Sequence, residues 1–294
     1  MIYWIISVLI GSEIAGLAYL NYWRDTFYTA IQTKNYEVFL IQLGVFLLVA
    51  LLLVIIYANR TYLVNKWAVN KRVELTLKCQ NKWIQKIDEV KVDNPSQRIN
   101  QDINDICLSG SNLGIQFIMA LLTAIVFTVI ICQTCLSHVI NPNLILLASY
   151  GYELLGTTIV FLIGSSLVHL KFNLQAADAD HRQGLATVHL TGNDGLHDTR
   201  LDYVKQAFFK VIKKEKFISF FTSTIGQIEV VFPFLILAPF YFSGMITFGY
   251  LFQLSAAMSI LQGSLAFIIQ SYPQLIAIQT TYNRLKFLKP LLED

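Results

Sequence analysis

Long apolar runs alternate with polar stretches along this chain, and the lengths of both predict its architecture. Two long polar spacers, 59–113 and 170–216, follow the second and fourth apolar runs, and the other connections are short. Crossing a bilayer takes about 20 apolar residues. Six runs are long enough, at about 2–22, 39–58, 114–136, 144–169, 217–243 and 248–272. The pattern predicts an all-α membrane protein with six transmembrane helices.

The two long spacers are predicted to be helical hairpins that extend the spans. Between 61 and 92, apolar residues recur mostly at helical spacing, with lysine and arginine at the other positions. The segment DNPSQRINQDI, 93–103, would turn the chain back. Asn94 can cap a new helix, Pro95 suits its first turn, and Gln97 occupies the third position of a capping box. In the second spacer, TGNDG at 191–195 is the predicted turn.

Composition and charge add an orientation to this plan. The chain is 55% hydrophobic and 14% charged, whereas soluble domains are about a quarter charged. Of the 22 lysine and arginine residues, only Arg24 and Lys34 fall in the short connections. The positive-inside rule therefore predicts that the long spacers, the tail after 272 and both termini are cytoplasmic. The abrupt start suggests that upstream sequence is missing or that an amino-terminal extension is absent.

Four segments carry a resemblance to a known family. LNYWRDTFYTAIQ (20–32) closes the first span, DNPSQRINQDI (93–103) is intracellular, APFYFSGMITFG (238–249) joins the last two spans, and YNRLKFL (282–288) is the tail helix. Together and in this order they resemble the SbmA/BacA-like peptide uptake transporters, and also the related fused permease–ATPases of the peroxisomal ABC type. The resemblance covers nearly the whole chain.

This resemblance implies an ABC exporter-type transmembrane domain that works as a homodimer, with one central cavity between the halves. It also implies uptake of peptides or peptide-like compounds across a bacterial inner membrane. Gly192-Asn193-Asp194 stands where SbmA-like chains have Gly-Glu-Asp, which favours that branch. No Gly-Lys dipeptide occurs in the chain, so no Walker A phosphate loop is predicted. An alternative stays open, in which the chain is a permease subunit or fragment that works with a separate or fused ATPase.

Three glutamates inside the predicted spans are the main candidates for chemistry. Glu13, Glu153 and Glu229 fall near the predicted midpoints of the first, fourth and fifth spans. At a rise of about 1.5 Å per residue, we expect them within roughly 5 Å of one plane. No lysine or arginine lies inside a predicted span to neutralise them. Because an ionised side chain at that depth costs about 2.5–3.5 kcal/mol to insert, each is expected to hold a proton or to face a hydrated cavity.

Acidic groups in this position suit proton coupling. A carboxyl group whose hydration changes during alternating access would bind a proton on one side and release it on the other, and it would attract cationic cargo. The alternative is a structural role, in which each neutral carboxyl group forms a hydrogen bond with a neighbour. The local candidates for such bonds are Tyr150, Tyr152, Ser12 and Gln227.

Asp178 and Asp180 extend the acidic set into the second spacer. By the resemblance their segment AADADHR corresponds to Glu-Ala-Ala-Tyr-Arg of SbmA-like chains, with Asp178 in the place of the glutamate. The two aspartates could continue an acidic path into a cytoplasmic vestibule. A solvated helix face with Arg182 nearby is the alternative.

The intracellular turn has a second expected role. In ABC relatives this turn would touch the ATPase, and without one it would brace the dimer. Arg98 and Asp102, four residues apart, could pair along the helix. The candidate residues of this coupling turn are Asp93, Asn94, Pro95, Gln97, Arg98 and Asp102.

The remaining polar residues predict no catalytic or metal site. His169, His181 and His189 are too far apart along a helix to share one metal ion. Cys132 and Cys135 are expected to pack as apolar side chains, because a zinc site would need two more ligands. We therefore expect no enzyme activity, no metal, no cofactor and no nucleic-acid partner.

The favoured hypothesis from sequence is a proton-coupled importer of peptides or peptide-like compounds. Its expected partners are its cargo, protons, the lipid bilayer and a second copy of the chain. The ATPase-dependent permease is the second hypothesis, and a membrane scaffold is a third.

Overall fold

The computed structural model describes residues 2–85, 98–137, 140–191 and 197–285, and over these ranges the chain forms helices and no strands. The α-helices are α1 (Ile2–Gln32), α2 (Tyr36–Gln85), α3 (Ile103–Asp105), α4 (Ser111–Ser137), α5 (Pro142–Thr191), α6 (His197–Phe242), α7 (Phe248–Gln270) and α8 (Tyr272–Leu285). Two π-helical turns, Arg98–Asp102 and Ile106–Gly110, flank α3.

Several of these helices are compatible with a membrane. In the part of the chain that the structure describes, five are long and apolar enough to cross one: Ile2–Gln32, Tyr36–Asn81, Ile99–Ser137, Pro142–Asp178 and Leu201–Phe242. They cover the first five predicted spans, except that the fifth helix ends one residue before the predicted edge at 243. This confirms a helical protein with several apolar helices that are compatible with a multi-pass membrane protein. The sixth predicted span, 248–272, is helical over Phe248–Gln270, and its crossing of a membrane stays a prediction.

Three helices continue without a break beyond their predicted spans. α2 and α5 contain 50 residues each and α6 contains 46. At about 1.5 Å per residue, 50 residues extend about 75 Å, whereas the hydrocarbon core of a bilayer is about 30 Å thick. More than half of each long helix therefore extends outside the bilayer core, which confirms that the described parts of the polar spacers are helical.

The connection between α1 and α2 is a tight turn. Lys34 adopts a positive φ of 55° there, and Asn35 Oδ1 accepts a hydrogen bond of 3.2 Å from Val38 N. This bond caps α2, because an asparagine before the first turn satisfies an otherwise free backbone donor. The short link leaves α1 and α2 antiparallel and in contact along their length.

α7 packs against both α1 and α4. Asn21 Nδ2 on α1 donates to Gln253 O on α7 at 2.9 Å, and Tyr250 Oη donates to the Thr134 carbonyl oxygen on α4. At Gly249 the backbones of α1 and α7 approach so closely that an added Cβ would lie 2.1 Å from the Asp25 carbonyl oxygen. A side chain at this position would separate the two helices.

The chain divides into two compact units. One comprises Met1–Ser149 with Pro233–Asp294, and the other comprises Tyr150–Phe232. The second unit is the pair formed by most of α5 and most of α6, and the first unit contains the other helices.

The four cysteines are free thiols. Cys79 and Cys107 belong to one buried cluster with Ile99 and Ile103, at the end of α4 that is predicted to be cytoplasmic. Cys132 and Cys135 lie near the other end of α4, where Cys135 is fully buried and Cys132 is half-buried.

Part of the predicted coupling turn lies outside the described residues, namely Asp93, Asn94, Pro95 and Gln97. The backbone of Arg98 begins the first π-helical turn, and its side chain also lies outside the described part of the chain. Asp102 ends that turn and is 3% exposed. The expected pairing of Arg98 with Asp102 therefore stays a prediction.

Candidate functional site

Two of the predicted acidic residues come together in the unit Tyr150–Phe232. Glu153 on α5 is 5% exposed, and Glu229 on α6 is half-buried. The two carboxyl groups are near enough for their charges to interact. Glu153 and Glu229 therefore form one acidic pair across the α5/α6 interface.

The contacts between α5 and α6 explain why these two acids meet. Tyr152 Oη on α5 donates to Ile225 O on α6 at 2.6 Å, and the ring of Tyr152 lies 4.4 Å from that of Phe232. A Cβ added at Gly156 would lie 3.2 Å from Ile225 Cγ2. Later positions of α5 contact earlier positions of α6, so the two helices are antiparallel. This antiparallel register places Glu153 opposite the turn of α6 that carries Glu229.

The acidic pair has no neutralising partner in the part of the chain that is described. The ion pairs formed there include neither Glu153 nor Glu229. The hydroxyl of Tyr152, one of the predicted hydrogen-bond donors, is directed to the Ile225 carbonyl oxygen instead. The arrangement can bind one or two protons, and the charge on one carboxyl group affects proton binding by the other.

Glu13 differs from the other two glutamates because it has a basic partner. Arg60 Nε on α2 lies 2.8 Å from Glu13 Oε2 on α1, and the two side chains are 9% and 15% exposed. The guanidinium of Arg60 also lies 5.2 Å from the ring centroid of Tyr57. The prediction that Glu13 lacks a cationic neighbour is wrong.

The register of α1 against α2 also changes the predicted depth of Glu13. Trp23 Nε1 donates to Gln42 O at 2.9 Å, so Trp23 is level with the start of the second predicted span, 39–58. Glu13 is level with Arg60, just beyond the end of that span. Adjacent antiparallel helices that cross one bilayer share its boundaries, so the middle of the first span moves from about residue 12 to about residue 19. On the predicted bounds of the second span, this register puts Glu13 near the predicted cytoplasmic boundary rather than at mid-membrane.

Sequence reasoning missed Arg60 because it lies two residues beyond the predicted span edge at 58. A signal was present in the tight turn between α1 and α2. Counting equal distances from that turn brings Glu13 opposite a residue near 55. A long arginine side chain a turn further on can reach back from there.

Asp178 and Asp180 are separated from the acidic pair. They lie 25 and 27 residues after Glu153 on α5, which corresponds to about 37 and 40 Å. At about 3.6 residues per turn, Asp178 returns to the same face of α5 as Glu153, whereas Asp180 lies on the opposite face. Both aspartates interact with other residues. Of the two, Asp178 is placed to continue an acidic path on the Glu153 face.

An ion pair lies between these acidic positions. Lys171 Nζ on α5 is 3.0 Å from Glu215 Oε1 on α6. Lys171 is about five helical turns beyond Glu153 and therefore on the same face of α5. The α5/α6 interface therefore has two electrostatically different parts. Within the described ranges the acids Glu153 and Glu229 have no cationic partner, whereas Glu215 is neutralised by Lys171.

Comparisons with known proteins agree with a membrane transporter. A model of the SbmA/BacA-like family matches residues 5–292. The chain is 24% identical to the inner membrane ABC transporter ATP-binding protein YddA of Escherichia coli, over 99% of this chain and 57% of that protein. It is 27% identical to an uncharacterized ABC transporter ATP-binding protein of Haemophilus influenzae, over 79% and 43% of the two chains.

A plant protein is also similar. The chain is 23% identical to ABC transporter D family member 2, chloroplastic, of Arabidopsis thaliana, over 69% of this chain and 29% of that protein. The chain spans about half the length, or less, of the curated relatives it matches.

Proposed function

The chain belongs to the SbmA/BacA-like family, and from this premise we propose that this membrane transporter imports peptides or peptide-like compounds with energy from the proton gradient. The observation that carries the proposal is the acidic pair of Glu153 and Glu229, which has no cation among the described residues. Two such acids inside apolar helices are costly unless they bind protons or face water. That energetic cost is the proposed physical basis for coupling proton movement to the import of cargo.

The proposed cycle uses the change in hydration at the pair. When the site faces the outside of the cell, water reaches Glu153 and Glu229, and they take up protons at the high external proton concentration. When the site faces the cytoplasm, they release the protons at the lower concentration there. Each cycle moves protons down their gradient, and the same opening and closing carries the cargo inward.

The other acidic candidates enter this proposal with different roles. Asp178 lies on the Glu153 face of α5 and would receive protons on the cytoplasmic side, while Asp180 would contribute negative charge to the vestibule. A proton on Glu13 would have to compete with Arg60 for the same carboxylate. We therefore assign to Glu13 an ion pair that holds α1 against α2, and we leave it out of the proposed proton path.

The proposed assembly is a homodimer in a bacterial inner membrane, with the long helical extensions and both termini in the cytoplasm. Two copies would place two acidic pairs around one cavity, and the basic residues of the extensions favour the cytoplasmic side. Cationic peptides fit such a cavity because an acid-lined cleft raises the local concentration of positive charge.

The test is uptake of a fluorescent arginine-rich peptide into vesicles that contain the purified protein. Uptake should follow an imposed pH gradient, stop when a protonophore removes the gradient, and ignore ATP. In the Glu153→Gln/Glu229→Gln double variant, uptake should fall to the gradient-free level. Glu37→Gln is the matched control, because Glu37 is an exposed glutamate at the start of α2 and its loss should leave uptake unchanged. Unchanged gradient-driven uptake in the double variant would end the proposal for this pair.

A second candidate function is a permease subunit or fragment that depends on an ATPase. It is favoured by the curated relatives, which are named as ABC transporter ATP-binding proteins and exceed the matched region in length. The same vesicles separate the two functions. Uptake that ignores the pH gradient but starts when a partner ATPase and ATP are supplied would replace proton coupling with this alternative.

A further inference from the structure

A polar cavity of about 580 Å³ lies in the unit that contains α4 and α8. It is separate from the acidic pair and lies at the end of α4 that is predicted to be cytoplasmic. Its volume falls within the range of about 300–1,000 Å³ that is typical of ligand pockets. Its polar lining consists of three carboxamides, two hydroxyls and one carboxylate: Asn112, Gln116, Gln274, Ser109, Thr281 and Asp105.

Helical spacing explains why these side chains converge. Asp105, Ser109, Asn112 and Gln116 recur at intervals of three or four residues, so they share one face of the continuous helical segment 98–137. Gln274, Ile278 and Thr281 recur in the same way on α8. The two faces approach each other at Gly110, where an added Cβ would lie 3.8 Å from Ile278 Cγ2. The cavity opens beside this close contact.

Much of the polar lining has unused hydrogen-bonding capacity. In the part of the chain that the structure describes, the side chains of Ser109, Gln116 and Gln274 form no hydrogen bond to another residue. The Asp105 carboxylate likewise forms no ion pair there. Asn112 is held in place because its Nδ2 donates to Asn65 Oδ1 on α2 at 3.1 Å. The cavity therefore combines one fixed carboxamide with several unpaired groups.

The chemistry of this lining selects a class of ligand. A carboxamide both donates and accepts hydrogen bonds, so two or three of them can pair with a peptide backbone whatever its side chains are. A carboxylate binds an ammonium or guanidinium group, and with a guanidinium the two hydrogen bonds can be bidentate. Leu113 and Ile278 add an apolar floor. The combination fits a short cationic segment of peptide.

We propose that this cavity is a binding site for a cationic peptide segment, in which Asp105 binds an ammonium or guanidinium group and the carboxamides bind the backbone. The proposal rests on the proposed function for its cargo class and adds a location and a set of contacts. The site lies toward the cytoplasm, so an imported peptide would occupy it before release.

Binding can be measured on the purified full chain in nanodiscs without any gradient. The probe is a fluorescent tri-arginine amide, and its neutral counterpart replaces each arginine with citrulline. A charge-assisted pair should contribute roughly tenfold to affinity, so Asp105→Asn should weaken tri-arginine binding about tenfold. The citrulline peptide should bind weakly to both proteins. Asp202→Asn, at an exposed aspartate on α6, is the control and should change nothing.

A gain of affinity provides a second test that does not depend on damaging the fold. Gln116 lies at the edge of the third predicted span and lines the cavity, so Gln116→Glu should be tolerated. It should tighten tri-arginine binding about fivefold by adding a second carboxylate at contact distance. A photoreactive tri-arginine peptide should crosslink to residues 105–116 or 274–281. Unchanged affinity in both variants, or crosslinks confined to other segments, would overturn the site.

The outcomes separate this site from the proposed function. If wild-type vesicles show gradient-driven uptake while the Asp105 and Gln116 variants bind the peptide as wild type does, the cavity proposal fails alone. If uptake ignores the gradient while Asp105→Asn weakens binding about tenfold, proton coupling fails and the binding site stands.

Discussion

The antiparallel pairs α1/α2 and α5/α6 carry the same short pattern in their contact surfaces but opposite electrostatics. In α1, Glu13 is followed three residues later by Gly16, which faces Leu53 on α2. In α5, Glu153 is followed three residues later by Gly156, which faces α6. Across from Glu13 the neighbouring helix supplies Arg60, whereas across from Glu153 it supplies Glu229.

This difference shows that the role of a glutamate in an apolar helix depends on the charge of the residue opposite it. A half-buried carboxylate paired with a buried arginine stays ionised, because removing either partner leaves an uncompensated charge. Two carboxyl groups without a cation can change their shared charge by binding protons. Under the proposed function, α1/α2 is a fixed element and α5/α6 is the element that responds to protons.

The largest effect is expected from converting the second pair into the first. Glu229→Arg would give Glu153 a cationic partner like that of Glu13, so the pair could no longer bind and release protons freely. Gradient-driven peptide uptake should fall to background in vesicles, while thermal unfolding in detergent should still show a folded protein. Wild-type uptake in a folded Glu229→Arg protein would remove the distinction between the two helix pairs.

Removing the cation from the α1/α2 pair should mainly lower the stability of the fold. Arg60→Met leaves the half-buried Glu13 without its partner, which should lower the free energy of unfolding by about 3 kcal/mol, the lower end of the range for buried pairs. Adding Glu13→Leu should recover most of that loss, because the double variant buries no charge. Chemical unfolding in detergent gives both values.

Lys78→Met is the control for that series, since Lys78 contacts Glu74 in an ion pair that is largely exposed. It should leave unfolding unchanged. A stability loss in the double variant as large as in Arg60→Met alone would contradict a simple ion-pair account of α1/α2.

A larger side chain at the α5/α6 contact should have an intermediate effect on stability and on uptake. Gly156→Leu would push α6 away at Ile225, with an overpacking cost of about 1–3 kcal/mol, and it should reduce gradient-driven uptake by separating Glu153 from Glu229. Gly156→Ala requires a shift of only a few tenths of an ångström at Ile225, so its uptake should stay near wild type. Equal uptake by the two variants would show that the spacing of the pair is unimportant.

The smallest effect is expected at Tyr152. Tyr152→Phe removes the hydrogen bond to the Ile225 carbonyl oxygen but keeps the ring against Phe232, so the free energy of unfolding should fall by about 0.5–1.5 kcal/mol. Tyr203→Phe, at an exposed tyrosine of α6, is the control. A loss well above that range would mean that the hydroxyl also orders the neighbouring acids.

The membrane helices could be predicted from sequence because their signal is local. Runs of apolar residues identify spans one at a time, and helical spacing continued through the described parts of both spacers. The pairing of Glu13 could not be predicted in this way, since it depends on how α1 is aligned with α2. A shift of a few residues in that alignment decides whether Arg60 reaches the carboxylate.

The cavity lined by α8 could not be predicted from sequence for a related reason. Its two walls, residues 105–116 and 274–281, are far apart along the chain, and each wall by itself is an ordinary polar helix face. Only the packing of α8 beside the start of α4 creates the space between them. In contrast, a similar depth for Glu153 and Glu229 could be predicted from sequence. Each falls near the midpoint of its predicted span, and both spans cross the same bilayer.

The buried thiols of the third membrane segment give this chain native reporters of its own movement. Cys107 and Cys135 are enclosed and separated by 28 residues, which is about 42 Å of helix. If the protein opens one side at a time, a thiol-alkylating reagent should modify one of them faster while the other becomes slower. Their opposite responses to a pH gradient would time each half of the cycle without any introduced cysteine.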